Sequence, residues 1–197
     1  MIKVALTGNI AAGKTEVEKV ISSLGIKVLD TDNVSHDILE NDEEAKKEII
    51  SIFGPDILND DGQISRKKLG YIVFSDKDKL KRLERIIHPK VFRKIGEFFE
   101  LNKTDEICVV SIPQLFETNT QMAFDKILLV TASEQNRLER LMKRNNLSED
   151  EAKLRISAQM SDALKVQQSD FVIYNDKDLD YLKNQVSATF TLMRLLP

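Results

Sequence analysis

The sequence feature that constrains the fold most is a short segment near the start of the chain that contains glycine and lysine. Residues 8–15 read GNIAAGKT and fit the pattern GxxxxGKT. An apolar, β-favouring stretch at 2–6 precedes the segment, and apolar residues at helical spacing follow it at 16–24. This order predicts a strand, a loop and a helix. With a second short strand at 27–29, it opens a parallel βαβ unit.

The chemistry of this loop is suited to phosphate groups. Successive backbone N–H groups and the positive end of a helix beginning near Gly13 form a cradle for phosphate oxygens. Lys14 adds a positive charge for β- and γ-phosphates, and the Thr15 hydroxyl can join the ligands of Mg²⁺. An incidental glycine turn is less favoured because both flanking elements are in place. We predict phosphate binding by Asn9, Ile10, Ala11, Ala12, Gly13, Lys14 and Thr15.

The rest of the chain predicts a parallel sheet interrupted by a helical region. Short apolar runs typical of the middle of such a sheet occur at 107–112, 126–130 and 171–174. Between 54 and 101, turn and helix patterns occur without a strand pattern. Helices are predicted at 34–39, 44–53, 67–74 after an N-cap at Ser65, 79–87, 90–101, from Ser133 to 143, from a capping box at Ser148 to 160, and at 179–195.

Two aspartates at the end of the second predicted strand are candidates for the acceptor side of a transfer reaction. In a parallel α/β sheet this strand end lies at the same edge as the phosphate loop. A carboxylate there can orient an acceptor hydroxyl or accept its proton, and can contact Mg²⁺. We predict Asp32 for this role, with Asp30 as the second choice. The competing interpretation is that Asp32 is only the N-cap of the next helix.

An arginine cluster follows the late strand at 126–130. Arg137, Arg140 and Arg144 recur at spacings of three and four and share one helix face, and Arg155 follows on the next helix. Guanidinium groups bind phosphate oxygens bidentately and can neutralise charge on a transferring phosphoryl group. Singly, each arginine could be a solvated surface charge. As a cluster, they predict a lid in which one or two contact phosphate.

Composition excludes several classes of protein. The net charge of −3 argues against non-specific nucleic-acid binding, and no apolar stretch is long enough to cross a bilayer. The lone Cys108 lies in an apolar run, which predicts a buried, inert thiol and fits a reducing compartment. His36 and His88 are too few for a histidine metal site. The sequence contains no NKxD motif of the kind that reads guanine in GTPases, which argues against a GTPase. We expect a cytoplasmic protein without nucleic-acid or membrane partners.

Several segments, taken in order along nearly the whole chain, resemble the dephospho-coenzyme A kinase family. They are ALTGNIAAGKT, VLDTDNVSH, FGPDILNDDGQISRKKLGYIVFSD, IIHPKV, IPQLFE, RLERLMKRNNLSEDEAKLRISAQM and DFVIYN. The resemblance implies an α/β fold: a P-loop nucleoside-triphosphate hydrolase-like three-layer sandwich with a parallel sheet, a helical acceptor-binding insertion and a helical lid. It implies one kinase domain over 1–197, with a nucleotide-binding core at 1–53, 104–132 and 170–197, an acceptor-binding region at 54–103 and a lid at 133–169.

The resemblance also implies the reaction and the residues that carry it. The family transfers the γ-phosphate of ATP to the ribose 3′-hydroxyl of dephospho-CoA, with Mg²⁺, to complete coenzyme A synthesis. By position, Asp32, Lys14 and Arg140 would be catalytic, and Thr15 and Asp32 would contact the metal. Arg144 and Asn175 would contribute to nucleotide binding. The acceptor would be bound by Asp32, His88, Pro113 and Leu115.

Some positions depart from the family's usual pattern. Asn9 and Ala11 each replace a glycine, although a positive φ remains accessible to asparagine. Ser111 stands where many P-loop enzymes carry a Walker B aspartate, which makes Asp32 more important. Further departures are Gln114, Asn145, Tyr174 and Lys177. Two alternatives stay open: a kinase of the same architecture acting on another nucleoside or nucleotide, and a nucleotide-binding regulator without catalysis.

Overall fold

The computed structural model describes residues 1–195, so the last two residues of the expected core lie outside the described part. The strands are β1 (Ile2–Gly8), β2 (Lys27–Asp30), β3 (Ile107–Ser111), β4 (Lys126–Thr131) and β5 (Phe171–Tyr174). They form one five-stranded sheet in the order β2-β3-β1-β4-β5. The pairings of β1 with β3, β1 with β4 and β4 with β5 are parallel. The predicted α/β class with a parallel sheet is confirmed.

Helices make up most of the remaining chain, and local capping sets several of their ends. The side chains of Ser65, Ser133 and Ser148 accept hydrogen bonds from the first turns of the helices that follow, and Ser148 with Glu151 completes the predicted capping box. The helices are α1 (Lys14–Ser23), α2 (Thr31–Asn41), α3 (Glu43–Phe53), α4 (Arg66–Phe74), α5 (Lys77–Leu101), α6 (Glu134–Asn145), α7 (Glu149–Ser157), α8 (Asp162–Gln167) and α9 (Leu179–Leu195).

The chain divides into two compact units. The sheet unit contains residues 1–29 and the described residues from 102 onwards, and the helical unit contains residues 30–101. The helical unit therefore includes α2 and α3 as well as α4 and α5. The functional division into core, acceptor region and lid stays a prediction.

The core of the sheet unit follows the alternation of side chains along its strands. Val4 and Leu6 of β1 point to one face, where they are buried against α1 and α9 in a cluster that includes Ile21 and Phe190. Ala5 points to the other face and packs against Leu115, Phe116 and Ile127, with Met160 at the margin. Both faces of the sheet are thus covered, as the continuous apolar strands predicted.

The helical unit corrects one prediction. Helices expected at 79–87 and 90–101 form the single helix α5, with Pro89 in its interior. A proline lacks the N–H for the helical ladder and normally costs about 3 kcal/mol in a helix interior. Ile87, Val91, Ile95 and Phe99 lie at intervals of four across the proline and are all buried. Burial of that continuous apolar stripe offsets the local helix-breaking tendency.

A second correction concerns the end of α7. The helix predicted to reach 160 ends at Ser157, and the short helix α8, which was not predicted, begins at Asp162. Ser161 is the N-cap of α8, because its side chain accepts a hydrogen bond from the Leu164 N–H. The break between α7 and α8 releases residues 158–161 from the helix, and residues 159 and 160 of this segment contact the phosphate loop.

Two predictions about composition can be compared with the structure. Cys108 is fully buried in β3, and burial raises the pKa of its thiol, as expected for an inert core cysteine. Among residues 1–195, no helix combines the length and apolarity needed to span a membrane.

Candidate active site

The predicted phosphate loop connects β1 to α1 in the sheet unit. Two of its residues have left-handed backbones: Ala11 with φ 62° and Gly13 with φ 98°. Of the two residues that replace family glycines, Ala11 has the positive φ and Asn9 does not. A left-handed conformation costs a residue with a Cβ about 1–2 kcal/mol. The surrounding contacts must therefore hold this loop in shape.

The segment between α7 and α8 supplies part of that support. Asn9 Nδ2 donates to the Met160 carbonyl (2.9 Å) and to Asp162 Oδ1 (3.0 Å). The Ile10 N–H donates to Gln159 Oε1 (2.8 Å). The Ile10 N–H is thus hydrogen-bonded to a side-chain oxygen. The Gln159 oxygen occupies a position that would also suit an oxygen of an anionic ligand. The apex of the loop is fastened to a segment that is distant from it in the chain.

Asp162 connects four elements. Besides Asn9, its carboxylate accepts a hydrogen bond from Thr131 Oγ1 at the end of β4 (3.0 Å) and forms an ion pair with Arg137 Nη2 of α6 (2.8 Å). Arg137 is only 4% exposed. Removing the carboxylate would leave a buried guanidinium without its counter-charge. The sequence patterns did not indicate this role of Asp162.

Asn175 supports the other side of the loop. Its Nδ2 donates to the Ala12 carbonyl (2.9 Å), and its own carbonyl accepts a hydrogen bond from Arg140 Nη2 (2.7 Å). A Cβ placed on Gly13 would lie 2.0 Å from Asn175 Nδ2, so this position has no room for a side chain. A cavity of about 330 Å³ lies here and is lined by Gly13, Glu16, Arg140, Asn175, Leu179 and Leu182.

Lys14 begins α1 and lies in a compact polar cluster. Its Nζ donates to Glu18 Oε1 one turn later (2.7 Å) and to Ser111 Oγ at the end of β3 (2.5 Å). The Ser111 hydroxyl also donates to Glu18 Oε1. The Lys14 and Glu18 side chains are 15% and 13% exposed, so this ion pair is largely removed from solvent. Thr15 is exposed next to it.

The predicted arginine cluster separates into residues with different environments. Arg137 is buried and paired with Asp162. Arg140 is half-buried, and its buried Nη1 makes no hydrogen bond to any residue in the described range. Arg144 and Arg155 are exposed, and Arg144 Nε donates to the neighbouring Asn145 Oδ1 (2.9 Å). Although Arg137, Arg140 and Arg144 lie on one helix face, their side chains therefore differ in burial and in hydrogen-bond partners.

Asp176 fastens the start of α6 beside Asn175. Its Oδ1 accepts hydrogen bonds from the Ser133 N–H (2.7 Å) and from Asn136 Nδ2 (2.8 Å). Burial raises the pKa of this carboxyl, but the hydrogen bonds and the nearby Arg140 outweigh burial and hold the pKa below its usual value. Asp176 thus remains a carboxylate at neutral pH and anchors the α6 end that leads to Arg140.

In the helical unit, the structure decides between two roles for the aspartates. Asp30 is the N-cap of α2, because its Oδ1 accepts a hydrogen bond from the Asp32 N–H (2.9 Å). Asp32 lies in the first turn of α2 and is exposed. The interpretation that Asp32 caps the helix is therefore wrong, and the cap is the preceding aspartate.

The remaining predicted acceptor residues occupy different environments. His88 is half-buried inside α5 rather than between two helices, and it lines a surface depression of about 440 Å³ with Lys81, Glu84, Arg85 and Pro89. In the sheet unit, the Pro113 carbonyl accepts a hydrogen bond from Thr7 Oγ1 (3.3 Å). Leu115 is fully buried in the core, so its side chain has a packing role, and its predicted contact with the acceptor stays a prediction.

Several contacts around the phosphate loop were not predicted from the sequence. Glu18 could have been noticed as an i,i+4 partner of Lys14. The Ser161–Asp162 pair could have been noticed as the start of a helix. Gln159 gave no signal, because its partner is a backbone N–H in a loop distant in sequence.

Comparisons with known proteins agree with this geometry. A family model described as dephospho-CoA kinase matches residues 2–180. A dephospho-CoA kinase of Bacillus cereus is 38% identical over 189 residues, covering 95% of this chain and 94% of that protein. The structure of dephospho-CoA kinase from Campylobacter jejuni superposes with a TM-score of 0.75 at 30% identity, covering 98% of this chain and 97% of that one.

A more distant structure extends the comparison of the fold. Shikimate kinase from Bacteroides thetaiotaomicron has a TM-score of 0.58 at 15% identity, covering 98% of each chain, which is a likeness of fold alone. Together with the phosphate loop between β1 and α1, it confirms the predicted P-loop kinase fold. The match to the family model and the identity to its relatives extend over nearly the whole chain, and the chain therefore belongs to the dephospho-CoA kinase family.

Proposed function

We propose that this chain transfers the γ-phosphate of ATP to the ribose 3′-hydroxyl of dephospho-CoA, giving coenzyme A and ADP. Membership of the family makes it a dephospho-CoA kinase acting at the final step of coenzyme A biosynthesis. The observation that carries the chemical proposal is the phosphate loop, which places Lys14 at the first position of α1 behind a backbone supported by Gln159, Asp162 and Asn175. We expect the enzyme to work in the cytoplasm.

The loop would hold the phosphates of ATP. Lys14 and Thr15 are the first two residues of α1, and N–H groups at this position have no acceptor within their own helix. They point toward the region where the helix favours negative charge. The ammonium of Lys14 has three donors, so it can bind a phosphate oxygen while keeping one of its present contacts. The donor set therefore fits a triphosphate.

The chain also offers hard oxygen ligands of the kind that Mg²⁺ prefers. Thr15 is an exposed residue with a hydroxyl at the start of α1, and Asp32 is an exposed residue with a carboxylate in the helical unit. When bound with ATP, Mg²⁺ supplies positive charge to the β- and γ-phosphate oxygens. We propose Thr15 and Asp32 as the residues that contact it.

The nucleotide end would lie beside Asn175. The cavity there has apolar walls from Leu179 and Leu182, which suit a flat heteroaromatic ring. We assign Arg140 to the phosphate end, because its buried Nη1 has no hydrogen-bond partner among the described residues and can donate to a phosphate oxygen. We propose Arg140 as the arginine that stabilises the transferring group, with exposed Arg144 as an additional nucleotide contact in a lid at 133–169.

Asp32 is the proposed base for the acceptor hydroxyl. Asp30 accepts the N-cap hydrogen bond of α2. Asp32 lies in the first turn of α2 and is exposed to solvent, where it is accessible to a substrate hydroxyl, which favours Asp32 for this role. In phosphoryl transfer, the main role of such a residue is to position the hydroxyl and accept its proton.

The acceptor itself would bind around His88. The depression there is lined by Lys81 and Arg85, whose positive charges suit the diphosphate of dephospho-CoA. Pro113 and Leu115 would support the acceptor side from the sheet unit.

The test is ADP release by the purified chain with ATP and Mg²⁺, comparing dephospho-CoA with adenosine, AMP and no acceptor. Turnover is expected with dephospho-CoA alone, with a product mass equal to that of coenzyme A. Turnover on a different acceptor would keep the kinase and exclude the proposed substrate. ATP binding without turnover on any acceptor would favour the regulator alternative.

A further inference from the structure

The cluster around Lys14 contains a carboxylate that the proposed mechanism does not use. Glu18 Oε1 accepts hydrogen bonds from Lys14 Nζ (2.7 Å) and from the Ser111 hydroxyl. Its side chain is 13% exposed. A glutamate on an ordinary solvated helix face would not be buried against a strand end, so its position requires an explanation.

The strand end it contacts is where P-loop enzymes commonly need a carboxylate. In P-loop nucleotide hydrolases, an aspartate at this strand end helps the Ser/Thr of the loop to hold Mg²⁺. Here the position is Ser111, a neutral residue that is fully buried at the end of β3. Within the described sheet unit, Glu18 brings a negative charge to that strand end.

The spacing on α1 places Glu18 on the same helix face as Lys14 and Thr15. Glu18 follows Lys14 by four residues and Thr15 by three, and residues at these intervals lie on one face of a helix. Ser111 belongs to a central strand with neighbours on both sides, and its hydroxyl fixes one carboxylate oxygen of Glu18. A side chain held by a rigid strand in this way is preorganised for its task.

We propose that Glu18 is a positioning residue that supplies, from α1, the carboxylate that position 111 lacks in the Mg²⁺–nucleotide site. The inference rests on the proposed function for the identity of the nucleotide, and it concerns a residue to which the family resemblance gives no role. The two positions compensate each other: the strand end lacks a charge and the facing helix turn provides one.

The contacts of Glu18 with Lys14 and Ser111 also fit a different role, which the experiment has to distinguish from a role in the metal–nucleotide site. Glu18 could serve only to hold Lys14 while the loop is empty. In that case, neutralising Glu18 would release the ammonium and strengthen ATP binding equally with and without Mg²⁺. A role in the metal–nucleotide site instead predicts a change that depends on Mg²⁺.

The experiment measures the affinity for a non-hydrolysable ATP analogue by calorimetry, once with Mg²⁺ and once with EDTA. The wild-type chain should bind more tightly with Mg²⁺. Glu18→Gln should lose most of that gain, roughly 10- to 100-fold, as is typical when a residue supporting a metal site is removed. The double variant Glu18→Gln/Ser111→Asp should recover it, because the carboxylate returns at the strand end.

Control variants distinguish an effect on the metal–nucleotide site from misfolding and from a failure of the proposed reaction. Glu106→Gln, which alters an exposed carboxylate paired with Arg194, should leave both affinities unchanged. Should Glu18→Gln fail to fold, Glu18→Ala keeps a strong helix former at the position and should show the same loss. An unchanged Mg²⁺ gain in either folded variant, or no recovery in the double variant, would overturn the inference. Because no acceptor is added, absence of dephospho-CoA turnover would count only against the proposed function.

Discussion

The phosphate loop and the segment that carries Asp32 both follow a strand and lead into a helix, yet they are held in different ways. The loop contains a left-handed Ala11 and is fastened by side chains from Gln159, Asp162 and Asn175. At the second junction, β2 passes directly into α2, and the adjacent Asp30 side chain forms the cap. A loop that must keep N–H groups available for a ligand requires distant support, whereas a direct strand-to-helix junction can be stabilised by its own neighbours.

This difference predicts where the molecule is sensitive. Substitutions far from the phosphate loop in sequence should alter its shape, because its restraints come from the α7–α8 segment and from residue 175. Substitutions at the Asp30–Asp32 junction should act locally, on the chemistry or on a single helix end. The following changes test the contrast, beginning with the largest expected effect.

Asp32→Asn should lower turnover by roughly 10²- to 10⁴-fold, because the amide cannot accept the acceptor proton. Affinity for ATP measured without Mg²⁺ should remain nearly unchanged, because Asp32 is proposed to act on the nucleotide only through the metal. The unfolding midpoint should also remain nearly unchanged, since the cap of α2 is Asp30. Steady-state ADP release and calorimetric ATP binding provide the two measurements. Asp37→Asn, an exposed aspartate on the same helix, is the matched control. Comparable turnover in Asp32→Asn would remove Asp32 from the proposed mechanism.

Asp162→Ala should lower the free energy of unfolding by about 3–5 kcal/mol, the range expected when a buried ion pair loses one partner. The change leaves the Arg137 guanidinium buried and removes acceptors for Asn9 and Thr131. Urea unfolding measures the loss, and affinity for ATP should fall as well because the loop loses a restraint. Asp180→Ala, at an exposed ion pair in α9, should change stability by no more than about 0.5 kcal/mol. Equal effects of the two variants would contradict the central role of Asp162.

Gly13→Ala should cost about 2–4 kcal/mol of stability, combining a left-handed alanine with overlap against Asn175. The overlap pushes on the side chain that holds the Ala12 carbonyl, so affinity for ATP should weaken too. Gly96→Ala is a matched control in the interior of α5, where a new Cβ meets open space. That control should stabilise the chain by about 0.5–1 kcal/mol. Denaturant midpoints of both variants check the prediction, and a neutral Gly13→Ala would show that the loop adapts easily.

Asp30→Ala should have the smallest effect, about 1 kcal/mol of stability, the usual cost of losing an N-cap side chain. Turnover should decrease far less than in Asp32→Asn, because the proposed base remains. Thermal unfolding and ADP release under the same conditions make the comparison. A loss of turnover as large as that of Asp32→Asn would assign the catalytic carboxylate to Asp30 instead.

Local patterns predicted many elements closely. The strand at 171–174 and the helix at 179–195 have the predicted bounds, and Ser65, Ser133 and Ser148 begin their helices as N-caps. The phosphate loop lies between the predicted strand and the predicted helix. These features follow from the period of apolar residues and from side chains that hydrogen-bond a few positions away, both of which are visible in a short window of sequence.

Only the tertiary structure decided the rest. The continuity of α5 through Pro89, the burial of Arg137 against Asp162 and the contact of Glu18 with Ser111 join residues whose relation depends on packing. The same holds for the choice of Asp30 over Asp32 as the cap, because both aspartates suit that position in sequence. A linear pattern gives the type of a residue and its neighbours along the chain. Whether an arginine is solvated or a serine meets a carboxylate depends on which distant side chains share its space after the apolar core has formed.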